Sequence, residues 1–143
     1  MAGEIDVAGW IASYARAWRD KDAGAVAGLF TVGAAYWSHP LSDPHVGRAA
    51  IRAYWQRATR TQRDLELRFG VPVCEGLRAA VEWWAVMRDD EWQAEAGAGA
   101  GGGVTLPGCL LLRFTPVGQC AELREYYNPR FGERIQPPQG WGK

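Results

Sequence analysis

Leu65-Glu66-Leu67-Arg68-Phe69 marks the place where the apolar spacing of this chain changes from about four residues to two. Alternation puts Leu65, Leu67 and Phe69 on one side of an extended segment and Glu66 and Arg68 on the other, the pattern of a half-buried strand. The same period continues downstream. Val81, Trp83, Ala85 and Met87 alternate with Glu82, Trp84, Val86 and Arg88, and Leu110, Leu112 and Phe114 alternate with Leu111 and Arg113. A last strand runs from about Ala121 to Tyr127. Turn residues at Glu75-Gly76, Ala96 to Gly103 and Pro116-Val117-Gly118 separate these segments and predict an antiparallel meander.

Upstream of Leu65 the period is helical. Val7, Trp10, Ile11, Tyr14 and Trp18 recur at spacings of three and four, with Arg16, Arg19 and Asp20 on the other side. Asp22 can cap a second, shorter helix carrying Val26, Leu29 and Phe30, and Gly33 offers a stop. Ala35 to His39 then reads as a strand, closed by the turn residues Pro40, Asp43-Pro44 and Gly47. A third helix begins near Arg48, with Ile51, Tyr54, Trp55 and Ala58 as its apolar stripe. Arg52, Gln56, Arg60 and Arg63 face away and read as a solvated side.

A chain of 143 residues has the size of one domain, able to bury roughly two thirds of the surface its unfolded form exposes. Its 16 basic and 16 acidic residues cancel, so the basic excess that nucleic-acid binding requires is missing. No apolar run is long enough to span a bilayer, and Met1 to Asp6 has neither a basic start nor an apolar signal core. The expectation is a soluble cytoplasmic protein. Cys74, Cys109 and Cys120 form no CxxC pair and read as reduced, mostly buried thiols, and no metal or nucleotide cofactor is signalled. Eight tryptophans, five tyrosines and four phenylalanines suit either a densely filled core or a core with an aromatic-lined cavity.

The Ala/Gly run from Ala96 to Gly103 lacks the Lys-Ser/Thr that ends a phosphate-binding loop and no helical pattern follows it, so it reads as a flexible hairpin loop. Residues 129–143 form a Pro- and Gly-rich tail, extended and irregular, with Phe131, Ile135 and Trp141 as apolar anchors for docking.

Three stretches carry a family resemblance: Ile11 to Phe30, His39-Pro40 through Gly47-Arg48-Ala49-Ala50-Ile51-Arg52-Ala53-Tyr54-Trp55, and Leu123-Arg124-Glu125-Tyr126-Tyr127-Asn128. Each resembles the matching string in the SnoaL-like and ketosteroid-isomerase-like branches of the nuclear transport factor 2 superfamily. The resemblance covers about residues 7 to 128 and implies an α+β roll, in which three N-terminal helices pack in a curved antiparallel sheet that forms a cone. On that basis residues 1–128 make the domain. Isomerases, cyclases, hydrolases and non-catalytic binding domains share the scaffold, so the resemblance alone does not choose a reaction.

Candidate site residues follow from matched positions. Tyr14 resembles the ketosteroid-isomerase tyrosine that donates to a developing oxyanion; it reads equally as a core tyrosine bonded to a backbone carbonyl. His39 precedes Pro40 where that family carries Asp-Pro, the aspartate being the general base, and imidazole could take over proton transfer; otherwise it is a histidine satisfied at a strand end. Glu125 shares a face with Leu123 and Tyr127 and resembles the acid of limonene-epoxide-hydrolase-like and SnoaL-like proteins, where burial among rings would raise its pKa. The alternative is a pairing with an arginine or with solvent. The expected walls are Trp18, Phe30, Trp37, Trp55, Trp83, Leu110 and Tyr127.

Departures from the family are equally specific. Leu110 stands where ketosteroid isomerases place a second oxyanion-binding acid, and Glu82-Trp83-Trp84-Ala85 stands where limonene epoxide hydrolases place an Arg and an Asp. Neither catalytic set is complete. The functional expectation is therefore a pocket for a small hydrophobic oxygenated molecule, with acid/base isomerisation, cyclisation or hydration as its chemistry; the alternative is a non-catalytic dimeric ligand- or protein-binding module. The outer sheet face, with Trp84, Val86, Leu111, Arg113, Arg124 and Tyr126, is too apolar to leave wet and predicts a homodimer.

Overall fold

The structure is a computed structural model and describes residues 4–143. Helix α1 (Val7–Arg19) starts at Asp6, whose carboxylate accepts from the Gly9 N–H at 2.8 Å. Helix α2 (Ala23–Ala27) starts at Asp22, which accepts from the Ala25 N–H. Each such cap satisfies an orphan donor, worth about 1 kcal/mol. The predicted stripe of α1 is its buried side: Val7, Trp10, Ile11, Tyr14 and Trp18 all enter the core.

Strand β1 (Phe30–Trp37) begins five residues earlier than the sequence pattern predicts and ends two residues sooner. Phe30 opens the strand instead of extending α2, and Gly33 lies within it, where the register with its neighbour shifts. The two-residue strand β2 (His45–Val46) pairs back onto β1, opposing Tyr36 with His45. Helix α3 (Arg48–Arg60) follows at Gly47, which has φ 88 and leaves no side chain to cap the helix; the Arg48 guanidinium instead donates to the Phe30 carbonyl.

Strands β3 (Arg63–Phe69), β4 (Val73–Glu75), β5 (Arg78–Arg88), β6 (Val104–Phe114), β7 (Cys120–Tyr127) and β8 (Arg130–Phe131) complete an eight-stranded curved sheet in the order β2-β1-β7-β6-β5-β3, with β4 added to β5 and β8 to β6. The run β3-β5-β6-β7 is the antiparallel meander expected. Only β1 lies parallel to its neighbour β7. That crossover places Tyr36 beside Leu123 and so one strand away from Glu125. The α+β class agrees with the sequence reading, with one addition. A fourth helix, α4 (Asp90–Glu95), is capped by Asp89 through the Trp92 N–H.

The segment 96–103 therefore joins a helix to a strand rather than two strands. Gln93 of α4 holds it, donating to the carbonyls of Gly99 and Gly101. Beyond β8 the tail crosses the outer face of the sheet. Thr105 Oγ1 donates to the Glu133 carbonyl and accepts from the Ile135 N–H, and Trp84 Nε1 donates to the Ile135 carbonyl at 2.8 Å. Trp141 packs edge-on against Trp84 under the Arg68 guanidinium. Gly142 lies so close to Gly70 that a Cβ on Gly70 would sit 2.9 Å from its Cα. The anchors Ile135 and Trp141 thus dock as their apolar character implies. Among the described residues no helix is long and apolar enough to cross a membrane.

Candidate active site

Strand alternation turns Leu123, Glu125 and Tyr127 of β7 toward the helices. Glu125 pairs across the sheet with Leu110, and it is only 5% exposed with Leu110 and Leu123 buried beside it. No cation reaches it: the ion pairs of the described residues all lie elsewhere. Its partners are phenols. Tyr36 of β1 donates to Glu125 Oε1 at 2.7 Å, and Tyr14 of α1 stands 3.5 Å from the same oxygen and 3.1 Å from the Tyr36 hydroxyl. Since Tyr36 gives its proton to the carboxylate, the single Tyr14 proton is divided between that oxygen and the nearer Tyr36 oxygen. Tyr14 and Tyr36 are 1% and 0% exposed.

Glu125 Oε2 has no hydrogen-bond donor among the described residues, and Glu125 lines a cleft of about 520 Å3. Burial pushes its pKa up to about 7, against the opposing pull of the Tyr36 and Tyr14 hydrogen bonds. Burial and the nearby carboxylate hold the Tyr14, Tyr36 and Tyr54 phenols well above their ordinary value, so they remain donors across the physiological range. The arrangement is a carboxyl that can be charged or neutral near pH 7, with one oxygen anchored and the other available.

The cleft also holds an imidazole, but it is His45 and not His39. Its ring stacks on Tyr54 at 4.6 Å, and its Nε2 lies 3.2 Å from Ser38 Oγ. Burial, aided by the Arg57 charge, lowers its pKa. His39 sits on the exposed turn after β1, where its Nδ1 accepts from the Leu41 N–H at 3.2 Å. One cause explains this correction and that of Trp37. The sequence reading faced Trp37 and His39 inward, whereas the pairing of β1 with β2 and β7 turns Ala34 and Tyr36 in and Trp37 out. A shift of one residue exchanges the two faces of a strand. Trp37 consequently lies under the Arg124 guanidinium, 4.1 Å away, on the outer side.

Of the predicted walls, Trp18, Trp55, Trp83 and Tyr127 line the cleft. Phe30 and Leu110 do not; they are buried in the core at 0% and 1% exposure. Tyr36, Tyr54, Ser38 and His45 were missed by sequence reasoning, although Tyr54 stood in its helical stripe. Gly108 was a further unread signal: the Trp83 indole lies over it, and a Cβ there would come within 2.3 Å of the ring. The buried indole N–H groups of Trp55 and Trp83 meet no acceptor among the described residues. At the mouth, Arg57 and Arg60 of α3 face Glu91 and Glu95 of α4, with Arg60 and Glu91 joined at 3.2 Å. Among the described residues no group of three or more His, Cys, Asp or Glu side chains is placed to hold a metal ion.

Comparison with known proteins agrees with this geometry at the level of the fold. The chain is similar to the epoxide hydrolase/cyclase-like enzyme SalBIII of pyran ring formation in the polyether salinomycin, at 22% identity and TM-score 0.69, over 85% of this chain and 89% of that one. It is similar to a protein of ketosteroid isomerase-like fold from Catenulispora acidiphila, solved with trimethylamine, at 18% identity and TM-score 0.71, over 83% and 85% of the two chains. It is also similar to a polyketide cyclase, so named as a putative one, from Xanthomonas campestris pv. campestris, at 23% identity and TM-score 0.72, over 85% and 89%. No curated protein sequence matches. A family model, however, matches residues 11–123, most of the chain, and by it the protein belongs to the SnoaL-like domain family.

Proposed function

We propose that the protein is an enzyme that moves a proton on a small, apolar, oxygen-bearing molecule, with Glu125 as the group that carries the proton. The observation that supports this is the state of the Glu125 carboxyl: buried, without a cation, one oxygen fixed by Tyr36 and Tyr14, and the other free toward the cleft. A fixed acid near pH 7 in a cleft with aromatic walls is suited to isomerisation, ring closure or hydration, none of which needs a metal or nucleotide. Trp18, Trp55, Trp83 and Tyr127 supply apolar walls suited to a ligand with a large apolar surface. The SalBIII and cyclase neighbours are consistent with such chemistry on polyketide-like molecules.

The test is turnover of three probes by wild type and Glu125→Gln: isomerisation of androst-5-ene-3,17-dione, hydration of styrene oxide, and base-promoted opening of 5-nitrobenzisoxazole. Wild type is expected to accelerate at least one, and the variant to lose about 100-fold. Equal rates in the two proteins would remove Glu125 from the chemistry. Wild type inert on all three, with its tryptophan emission still quenched by them, would make the cleft a binding site.

A homodimer is part of the same reading, on a smaller face than the sequence suggests. The tail packs on Trp84, and Val86 is only 1% exposed. Leu111 and Tyr126, 39% and 42% exposed, remain for a second copy, flanked by Arg113 and Arg124. Light scattering at micromolar concentration should give the dimer mass; a monomer there contradicts it.

A further inference from the structure

We propose that His45, held by Ser38, is a second proton-transfer group, placed so that a substrate in the cleft lies between it and Glu125. The inference rests on the acid/base reading above and deepens it by naming the substrate class. His45 reaches the site only because β2 pairs with β1, which sets it opposite Tyr36, the residue that holds Glu125. Its ring is immobilised on Tyr54 at 4.6 Å, and Ser38 engages Nε2. Nδ1 has no partner among the described residues, and His45 and Glu125 line the same cleft. No hydrogen bond joins the two groups. A base stacked on a ring and engaged by a neighbouring hydroxyl, lining the same cavity as a buried acid, supplies both ends of an acid/base pair.

The charged and titratable surroundings of His45 are Tyr36 of β1, Tyr54 and Arg57 of α3, and, across the opening, Asp89 with Glu91 and Glu95 of α4. Arg57 and burial favour its neutral form, while the Glu125 carboxyl is still partly protonated near pH 7. In the step, the imidazole takes a proton from a substrate O–H or activated C–H. The electron pair left behind attacks or conjugates with an electrophilic carbon, the bond from that carbon to its oxygen gives up a pair, and Glu125 protonates that oxygen. Imidazolium and carboxylate then exchange a proton with water at the mouth, so the cycle is redox-neutral. The substrate class is an apolar molecule that carries a hydroxyl or acidic C–H and, a few atoms away, a carbonyl or strained ether oxygen.

The experiment follows 5-nitrobenzisoxazole, whose C–H proton is taken as the ring N–O bond breaks to a nitrile and a phenolate, across pH 5 to 9 in the full chain. Wild type should show a limb that rises with pH below the ordinary imidazole range. His45→Gln should lose that limb and about 100-fold in rate, while His39→Gln should keep both. In Glu125→Gln the limb should persist. A limb near pH 7 that survives His45→Gln and disappears in Glu125→Gln overturns the role of His45 and leaves that of Glu125; loss of neither effect in either variant overturns both. If a variant does not fold, or wild type shows no turnover, imidazole 15N shifts decide on wild type alone. Binding of 6-nitrobenzotriazole, followed by tryptophan quenching, should move the His45 ring resonances and not those of His39. Quenching with unmoved His45 resonances overturns the proposal.

Discussion

Glu122 and Glu125 lie on one strand, three residues apart, and live in opposite worlds. Glu122 faces outward, with Arg124 at 3.1 Å and Arg113 at 3.5 Å, Arg113 exposed and the other two half-buried. Glu125 faces inward, with no arginine and two phenols. Such pairing at a solvent-facing surface contributes little to stability. Withholding the cation and the water makes a carboxyl that holds its proton near pH 7. The site is thus produced by sheet alternation and by what the helices omit, as much as by what they supply.

The largest effect that would break this contrast is on stability against pH. The Glu125 pKa is raised from 4.5 to about 7, so the folded state binds its proton more tightly than the unfolded chain. Stability from this group is complete below pH 4.5 and is lost as pH rises to about 7, a change of about 3 kcal/mol. Glu125→Gln should remove this slope, leaving a variant more stable than wild type at pH 8 and much less active. Denaturant melts of both proteins at pH 5 and pH 8 read it out, and parallel curves would show an ordinary carboxyl.

Next in size is Tyr36→Phe. Removing the 2.7 Å donor takes away a hydrogen bond to the charged form, worth about 1.5 kcal/mol, so the Glu125 pKa should rise by about one unit. Tyr14→Phe, at 3.5 Å, should raise it less. The order of these shifts, from carboxyl NMR titrations, distinguishes a carboxylate held mainly by β1 from one held mainly by α1.

On the outer face, Trp141→Ala should cost about 1 to 2 kcal/mol through lost packing on Trp84 and lost contact with Arg68. Hydrogen exchange should then accelerate at Val71, whose N–H donates to the Gly142 carbonyl. The smallest effect belongs to the exposed pair itself: Arg113→Ala should change stability by less than about 1 kcal/mol, and less still in high salt. A loss comparable with the Glu125 effect would erase the contrast between the two faces.

Much of this architecture is legible in the sequence because period carries it. The α1 stripe, the meander from Leu65 to Tyr127 and the shared face of Leu123, Glu125 and Tyr127 follow from spacing, while the family resemblance at their positions is what marks Tyr14 and Glu125 as site residues. What spacing could not reach depends on pairing between distant segments. Ala35 to His39 alternates acceptably in either sense, so nothing local says that Tyr36 rather than Trp37 turns inward; the partners β2 and β7 decide it. His45 belongs to a two-residue strand with no period of its own. Helix α4 is six residues long, too short for a stripe, although Asp89 with Asp90 and Glu91 after it is a capping signal that can be read.

The most direct test of the central claim is a 13C NMR titration of the glutamate side-chain carboxyls from pH 3 to 9, assigned with Glu125→Gln. One resonance should titrate near pH 7 and be absent from the variant. If the resonance that the variant loses titrates instead near the unshifted carboxylate value of about 4.3, Glu125 is not a proton-holding acid and the account of the cleft is wrong.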